Sequence, residues 1–213
     1  MSILSVNPTR MELTSLKGKL ATARRGHKLL KDKCDELMRS FMERIRENRA
    51  LRAKVEEALS ASLADLAAAR GVAGGDVCDA ALMLPRREIA LSVTEKNVMS
   101  VHTPVFTVKE TGKPTDVFSY GFAFTSGEMD EAIKKLSGLT EDLLRLAEIE
   151  KTCSMLAAEI ERTRRRVNAL EHVMIPDYED TIRFITMKLD EAERSTTTRL
   201  MKVKDMMLQQ GRV

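Results

Sequence analysis

The sequence has no Trp, two Tyr and six Phe among its 213 residues, so aromatics make up only 4% of it. A rounded core of that size normally needs more large rings to fill its centre, and their scarcity argues against one. Cysteine is almost as sparse. Cys34, Cys78 and Cys153 show no CxxC spacing and leave one over from any pairing. No signal-peptide pattern precedes them, so they read as reduced thiols in a cytoplasmic protein. No apolar run approaches the ~18 residues of a membrane span, so no direct membrane insertion is expected. Neither charge dominates: 35 Lys and Arg face 32 Asp and Glu, a formal net of +3. That balance lacks the basic excess of a nucleic-acid binder, and no nucleic-acid partner is expected.

Catalytic patterns are missing as well. There is no GxxxxGK followed by Ser or Thr, no GxGxxG, no HExxH and no GxSxG. His27, His102 and His172 are scattered through three segments, and nothing resembles a poised nucleophile with its base. The expectation is a chain that is not an enzyme in its own right, with no catalytic residue, no cofactor and no metal site.

What the sequence does have is two long helical repeats. The first runs Leu13, Leu16, Leu20, Ala23, His27, Leu30, Cys34, Leu37 and Phe41, spaced alternately three and four. The second runs Cys153, Leu156, Ile160, Thr163, Val167, Leu170 and Met174, then continues beyond Pro176 as Ile182, Ile185, Leu189 and Ala192. A period near 3.5 lays an apolar stripe along one side of a helix and winds two such helices left-handedly around each other. Thirteen Met fit the same picture, since flexible thioethers fill irregular seams. Acid-first i,i+4 pairs (Asp35–Arg39, Glu141–Arg145, Glu161–Arg165, Glu179–Arg183, Asp190–Arg194) add about 0.2–0.5 kcal/mol each to exposed helices.

Punctuation divides the chain. Asn7-Pro8 can open the first helix, and Thr9 with Glu12 offers an alternative capping box. Gly71 and Gly74-Gly75 close the helix near Arg70, and at Phe41 the seam slips to Ile45 as a small stutter. Gly26, inside this helix, costs on the order of 1 kcal/mol against Ala, which leaves either a close backbone approach or a tolerated neutral position. Asp76–Leu84 reads as a short helix ended by Pro85. The period then changes to two over Ile89–Val93, Val98–Val108 and Val117–Phe124, with turns expected at Glu95-Lys96-Asn97 and Thr111–Pro114. This predicts a hairpin or a three-stranded patch. It holds five of the eight Phe and Tyr residues: Phe106, Phe118, Tyr120, Phe122 and Phe124. The second helix is expected to start with Thr125 as N-cap, Glu128 at N3 and Phe124 against Met129. It should run to about Met207, with a bend at Pro176.

The expected fold class is therefore mainly α. It is a long antiparallel two-helix coiled coil of N- and C-terminal helices with a small β-hairpin segment between them. The segments are 1–75, an N-terminal coiled-coil helix; 76–125, a short helix plus β-hairpin; and 126–213, a C-terminal coiled-coil helix. The longer second helix should project past the start of the first. Arg24-Arg25 with Lys28, and Arg162 with Arg164-Arg165-Arg166, read either as solvated helix faces or as attraction to acidic loops of a surrounding partner.

Specific strings add to this reading. They are Asn7-Pro-Thr-Arg-Met-Glu-Leu13, Ala23-Arg-Arg-Gly-His-Lys-Leu-Leu-Lys-Asp-Lys33 and Asp35-Glu-Leu-Met38. In the second helix stand Glu150-Lys-Thr-Cys153 and Thr163-Arg-Arg-Arg-Val-Asn-Ala-Leu-Glu171, followed by Ile175-Pro176. Together, in order and spacing, they resemble the D subunit of rotary V-type (A/V-type) ATPases over essentially the whole chain. The resemblance implies a central-stalk rotor, a shaft inserted in a head of three catalytic and three regulatory nucleotide-binding subunits. It further implies a small stalk partner (the F subunit), a funnel-shaped connector to the membrane ring, and rotation that couples ATP synthesis or hydrolysis to proton or sodium transport. The location implied is cytoplasmic, peripheral to the membrane through the complex. The residues expected to contact the head are Arg10, Arg24, Arg25, Lys28, Arg164, Arg165 and Arg166, with residues 86–124 towards the stalk. The alternative from another class is a prefoldin-like coiled-coil chaperone, also two helices joined by β-hairpins.

Overall fold

A computed structural model of the chain describes residues 5–84, 88–111, 117–121 and 125–210. Its elements are α1 (Arg10–Ala73), α2 (Gly75–Leu82), β1 (Glu88–Val98), β2 (Val101–Thr111), α3 (Gly127–Ala169), a π-helical turn (Leu170–Met174) and α4 (Ile175–Gln210). No helix among the described residues is long and apolar enough to cross a membrane. The mainly α architecture with a two-stranded antiparallel hairpin between long terminal helices is the one the repeats predict.

Helix boundaries follow local chemistry; α1 runs through Gly71 to Ala73, three residues past the expected stop near Arg70, and there are two further differences from expectation. Of the two possible starts for α1, Thr9 is the one used: its hydroxyl accepts from the Glu12 amide at 3.2 Å, and its carbonyl accepts from Leu13. At the other end Gly74, with φ +89°, turns the chain into α2 in a conformation that side-chain-bearing residues rarely adopt. The first difference is at α3, which begins at Gly127, one residue later than Thr125 as N-cap would place it. The Met129 amide donates to the Ser126 carbonyl, and the Thr125 hydroxyl instead reaches back to Gly121. The expected Phe124 staple lies outside the described residues. The second is at Pro176, which is accommodated by the five-residue π turn just before it.

The chain forms two compact units: Met1–Glu36 with Glu161–Val213, and Leu37–Ile160. Helices α1 and α3 each contribute to both units, and each unit draws on parts of the chain far apart in sequence. In the first unit Leu16, Thr163, Val167, Thr181 and Ile185 are buried, and Leu13, Leu20, Leu30, Leu170, Ile182 and Leu189 half-buried. Each fully buried Leu or Ile contributes about 1.5–3 kcal/mol. Met174 is exposed, on the widened turn. The Thr181 hydroxyl satisfies itself on the Asp177 carbonyl at 2.6 Å.

In the second unit Leu37, Val55, Ser62 and Ala69 of α1 are buried, as are Met129, Ala132, Leu139, Ile149, Leu156 and Ile160 of α3. Phe41 and Ile45 are both half-buried while Arg44 is exposed, which is the four-residue slip read from the sequence. The Ser62 hydroxyl donates to the Leu59 carbonyl, so its burial leaves no unpaired group. Lys54 pairs with Asp142 at 2.8 Å and Arg52 with Glu150 at 3.6 Å across the helices. Cys78 completes a small cluster with Ala69 and Met129 under α2. Cys153 is half-buried, and its thiol is raised above the ordinary range, chiefly by burial and against the pull of Arg44.

The β segment differs in detail. β1 runs on through Glu95, Lys96 and Asn97, where the sequence suggests a turn, and reverses at Met99 (φ 53°) and Ser100 (φ 73°). Positive φ at both central residues is the hairpin turn whose twist matches its strands. Asn97 belongs to it differently: its side-chain oxygen accepts from the Ser100 amide at 2.9 Å. There is no third strand at 117–121. Phe118 and Tyr120 stack edge-on, the Ser119 hydroxyl donates to the Ala81 carbonyl, and the Tyr120 hydroxyl donates to Asp130 at 2.6 Å. Their ring content belongs to a pad over α2 and α3. Phe122 and Phe124 lie outside the described residues.

Candidate functional site

The basic residues singled out in the sequence all lie in the unit formed by Met1–Glu36 and Glu161–Val213. Two ion pairs and one histidine–carboxylate contact set its register. Arg10 pairs with Glu193, Arg24 with Glu179 at 2.7 Å, and His27 Nε2 lies 3.3 Å from Glu171. As α1 numbers rise the partner numbers fall, so the helices are antiparallel. All six side chains are at least partly exposed, and each pair contributes under about 1 kcal/mol. Their effect is on alignment more than on stability.

This register places the candidates. Arg24, Arg25 and Lys28 stand at the level of the π turn and the first turn of α4. Arg164–Arg166 lie earlier on the opposing helix, about 10 Å along its axis from Glu171 at 1.5 Å per residue. Arg10 lies further off, beside Glu193. The seven residues therefore stand at several levels along the unit. Arg165 is held on its own helix by Glu161. Arg25, Lys28, Arg164 and Arg166 are exposed and form no ion pair among the described residues.

The same unit has an open groove of about 620 Å³, lined by Gly18, Thr22 and Gly26 of α1 and by Leu170, Met174 and Tyr178 of the opposing helix. A Cβ added at Gly18 or Gly26 would meet nothing within 4 Å. No close approach among the described residues accounts for the glycine at position 26.

The cross-helix carboxylates Glu171, Glu179 and Glu193 do not stand out in the sequence. Spacing along one helix matches Glu179 to Arg183; in the structure it reaches Arg24 instead, and Arg183 lies 3.7 Å from Asp180. A signal for the cross-helix pairs does exist. Arg24 follows seam residue Ala23, and Glu171 follows Leu170. Positions flanking a seam form interhelical pairs in coiled coils.

Comparison with known proteins adds an independent line. The sequence is 53% identical over 211 residues to the V-type ATP synthase D subunit of Clostridioides difficile (strain 630), covering 99% of this chain and 95% of the relative. It is 56% identical over 213 residues to that of Acetivibrio thermocellus, covering 99% and 96%, and 50% identical over 208 residues to that of Thermoanaerobacter sp. (strain X514), covering 98% and 99%. The model of the ATP synthase D subunit family matches residues 12–205, taking in both long helices and the hairpin. This decides against the chaperone alternative: the chain belongs to the ATP synthase D subunit family, whose members are components of V-type rotary ATP synthases.

Proposed function

We propose that this chain is the central-stalk shaft of its complex. In this role it is non-catalytic and couples ATP turnover in the nucleotide-binding head to proton or sodium transport by rotating. The observation that carries the reading is the division of charge on the antiparallel pair. Arg10, Arg24 and Arg165 are matched within the chain, whereas Arg25, Lys28, Arg164 and Arg166 form no ion pair among the described residues. Unmatched cations on a braced helix pair are available to acidic groups outside it. A shaft that meets a near-threefold head with charge spread unevenly along it presents a different surface to each catalytic site, and so biases their open and closed states by differential contact.

The partners on this reading are the catalytic and regulatory subunits of the head, the small F subunit of the stalk and the connector to the membrane ring. The chain would then be peripheral to the membrane. The test is the quadruple variant Arg25→Gln, Lys28→Gln, Arg164→Gln, Arg166→Gln in the assembled complex, with ions moved per ATP hydrolysed as the readout. The expected result is normal assembly with a lowered ratio. Unchanged coupling would sink the assignment of these residues. Native mass spectrometry tests the role itself: one copy per three of each large head subunit is required of a central shaft.

A further inference from the structure

We propose that the unit formed by Met1–Glu36 and Glu161–Val213 contains a yielding joint, a stretch in mid-seam where the two helices part while both flanks stay closed. The opening belongs to this unit alone and does not depend on a shaft role in the complex. Its location follows from uneven packing. Between Leu16 and Glu36, α1 has no buried residue, and between Val167 and Thr181 the opposing helix has none. Both flanks are closed. At one, Leu16, Thr181 and Ile185 are buried between the levels of the Arg10–Glu193 and Arg24–Glu179 pairs. At the other, Thr163 and Val167 are buried beyond the His27–Glu171 contact.

Each helix is also weak there. Gly18 and Gly26 lie inside α1, where only proline is less favourable. A Cβ at either glycine would meet nothing within 4 Å, so neither makes room for a neighbour among the described residues. Across from them stands the π turn, Leu170–Met174, which has no buried residue and interrupts the regular ladder. The groove of about 620 Å³ lies between, lined by Gly18, Thr22 and Gly26 on one side and by Leu170, Met174 and Tyr178 on the other. Arg24–Glu179 at 2.7 Å and His27–Glu171 at 3.3 Å bridge the helices at this level. Both are partly exposed, so they hold it shut only weakly.

These features act on the two helices together. A helical stretch in water draws most of its stability from the face it packs, and in a seam one layer deep no second layer takes over where the first is thin. Loss of one side therefore releases the other, as one cooperative step. Opening breaks the Arg24–Glu179 and His27–Glu171 contacts at once. Arg25 and Lys28 form no ion pair among the described residues. The joint thus decides whether Arg24 is held by the chain's own carboxylate or left, like these two neighbours, for an outside one.

The experiment is residue-resolved amide exchange of the full chain, free in solution, using electron-transfer fragmentation after quenching. Amides at 20–30 and 170–178 should exchange at least about tenfold faster than those at 163–167 and 182–185. A profile with no minimum of protection between Val167 and Ile182 would overturn the joint. So would fast exchange confined to 170–178 with 20–30 as slow as the flanks, because the π turn would then be opening alone. Gly18→Ala with Gly26→Ala strengthens α1 without a clash. It should slow exchange about tenfold at 20–30, and equally at 170–178 on the facing helix, with the flanks unchanged. Slowing on α1 alone would mean that α1 frays by itself, and equal slowing at the flanks that the whole unit opens as one. Either result counts against the joint.

Discussion

The amide of Ile175 donates to the carbonyl of Leu170, five residues back, directly before Pro176. In a regular α-helix Pro176 would offer no amide to His172, and its ring would crowd that carbonyl. Widening one turn takes up a residue, and the helix resumes in phase with its seam. Removing Val173 together with Pro176→Ala should therefore close the turn into α-helix at little cost, within about 1 kcal/mol by thermal or urea unfolding. Deleting exposed Ser154 instead rotates everything after it by one residue against the seam, which should cost several-fold more. Equal losses from the two deletions would show that the turn does not absorb a residue.

That turn marks the boundary of what the sequence makes legible. The seam residues, the Gly74 break, the short helix before Pro85 and the existence of a hairpin are readable because each has a local chemical signal. Interruption at Pro176 is readable too, but its form is not: proline excludes one hydrogen bond without choosing between a bend and a π turn. The hairpin reversal is hidden because Met99 and Ser100 carry none of the usual Gly or Asn signal, while Glu95-Lys96-Asn97 does resemble a turn. The rings at 117–121 mislead because aromatic spacing suits a strand and a packed loop alike. For the candidate cations the sequence gives type and spacing, but which of them are matched across the helices depends on register, and no single helix specifies that.

Met99 and Ser100 carry the conformational strain of the hairpin. Left-handed backbone costs an ordinary residue on the order of 1 kcal/mol, and Asn-Gly is the pair that adopts this turn most readily. Met99→Asn with Ser100→Gly should stabilise the hairpin by about 1 kcal/mol, seen as slower exchange of the Lys96 and Thr103 amides. Faster exchange would mean that the Met99 side chain, half-buried in the native turn, contributes more by packing than the backbone gains.

Leu156 is 1% exposed in the seam, whereas Leu63 on the same unit is 50% exposed. Truncating a packed Leu loses its transfer free energy and leaves a cavity that a narrow two-helix interface cannot fill from a second layer. Leu156→Ala should cost about 2–5 kcal/mol by urea unfolding, and Leu63→Ala within about 0.5 kcal/mol. Similar costs for both would show that the seam does not carry the stability of this unit.

Tyr120 gives a pH signature. Burial first, then the hydrogen bond and charge of Asp130, hold its phenol well above the ordinary value. The folded state thus keeps a proton that the unfolded chain releases near pH ~10. Stability from this group is fully present below that pH and falls as pH rises, because the folded state binds the extra proton. Tyr120→Phe removes both the bond and the titration. Below about pH 9 it should cost about 1–2 kcal/mol, and the gap between wild type and variant should shrink between about pH 9 and 11. Every other ionisable group is common to both proteins and cancels in the difference. A gap that stays constant up to about pH 11 would place the Tyr120 proton in an ordinary, solvated setting and break the link between the ring pad and the start of α3.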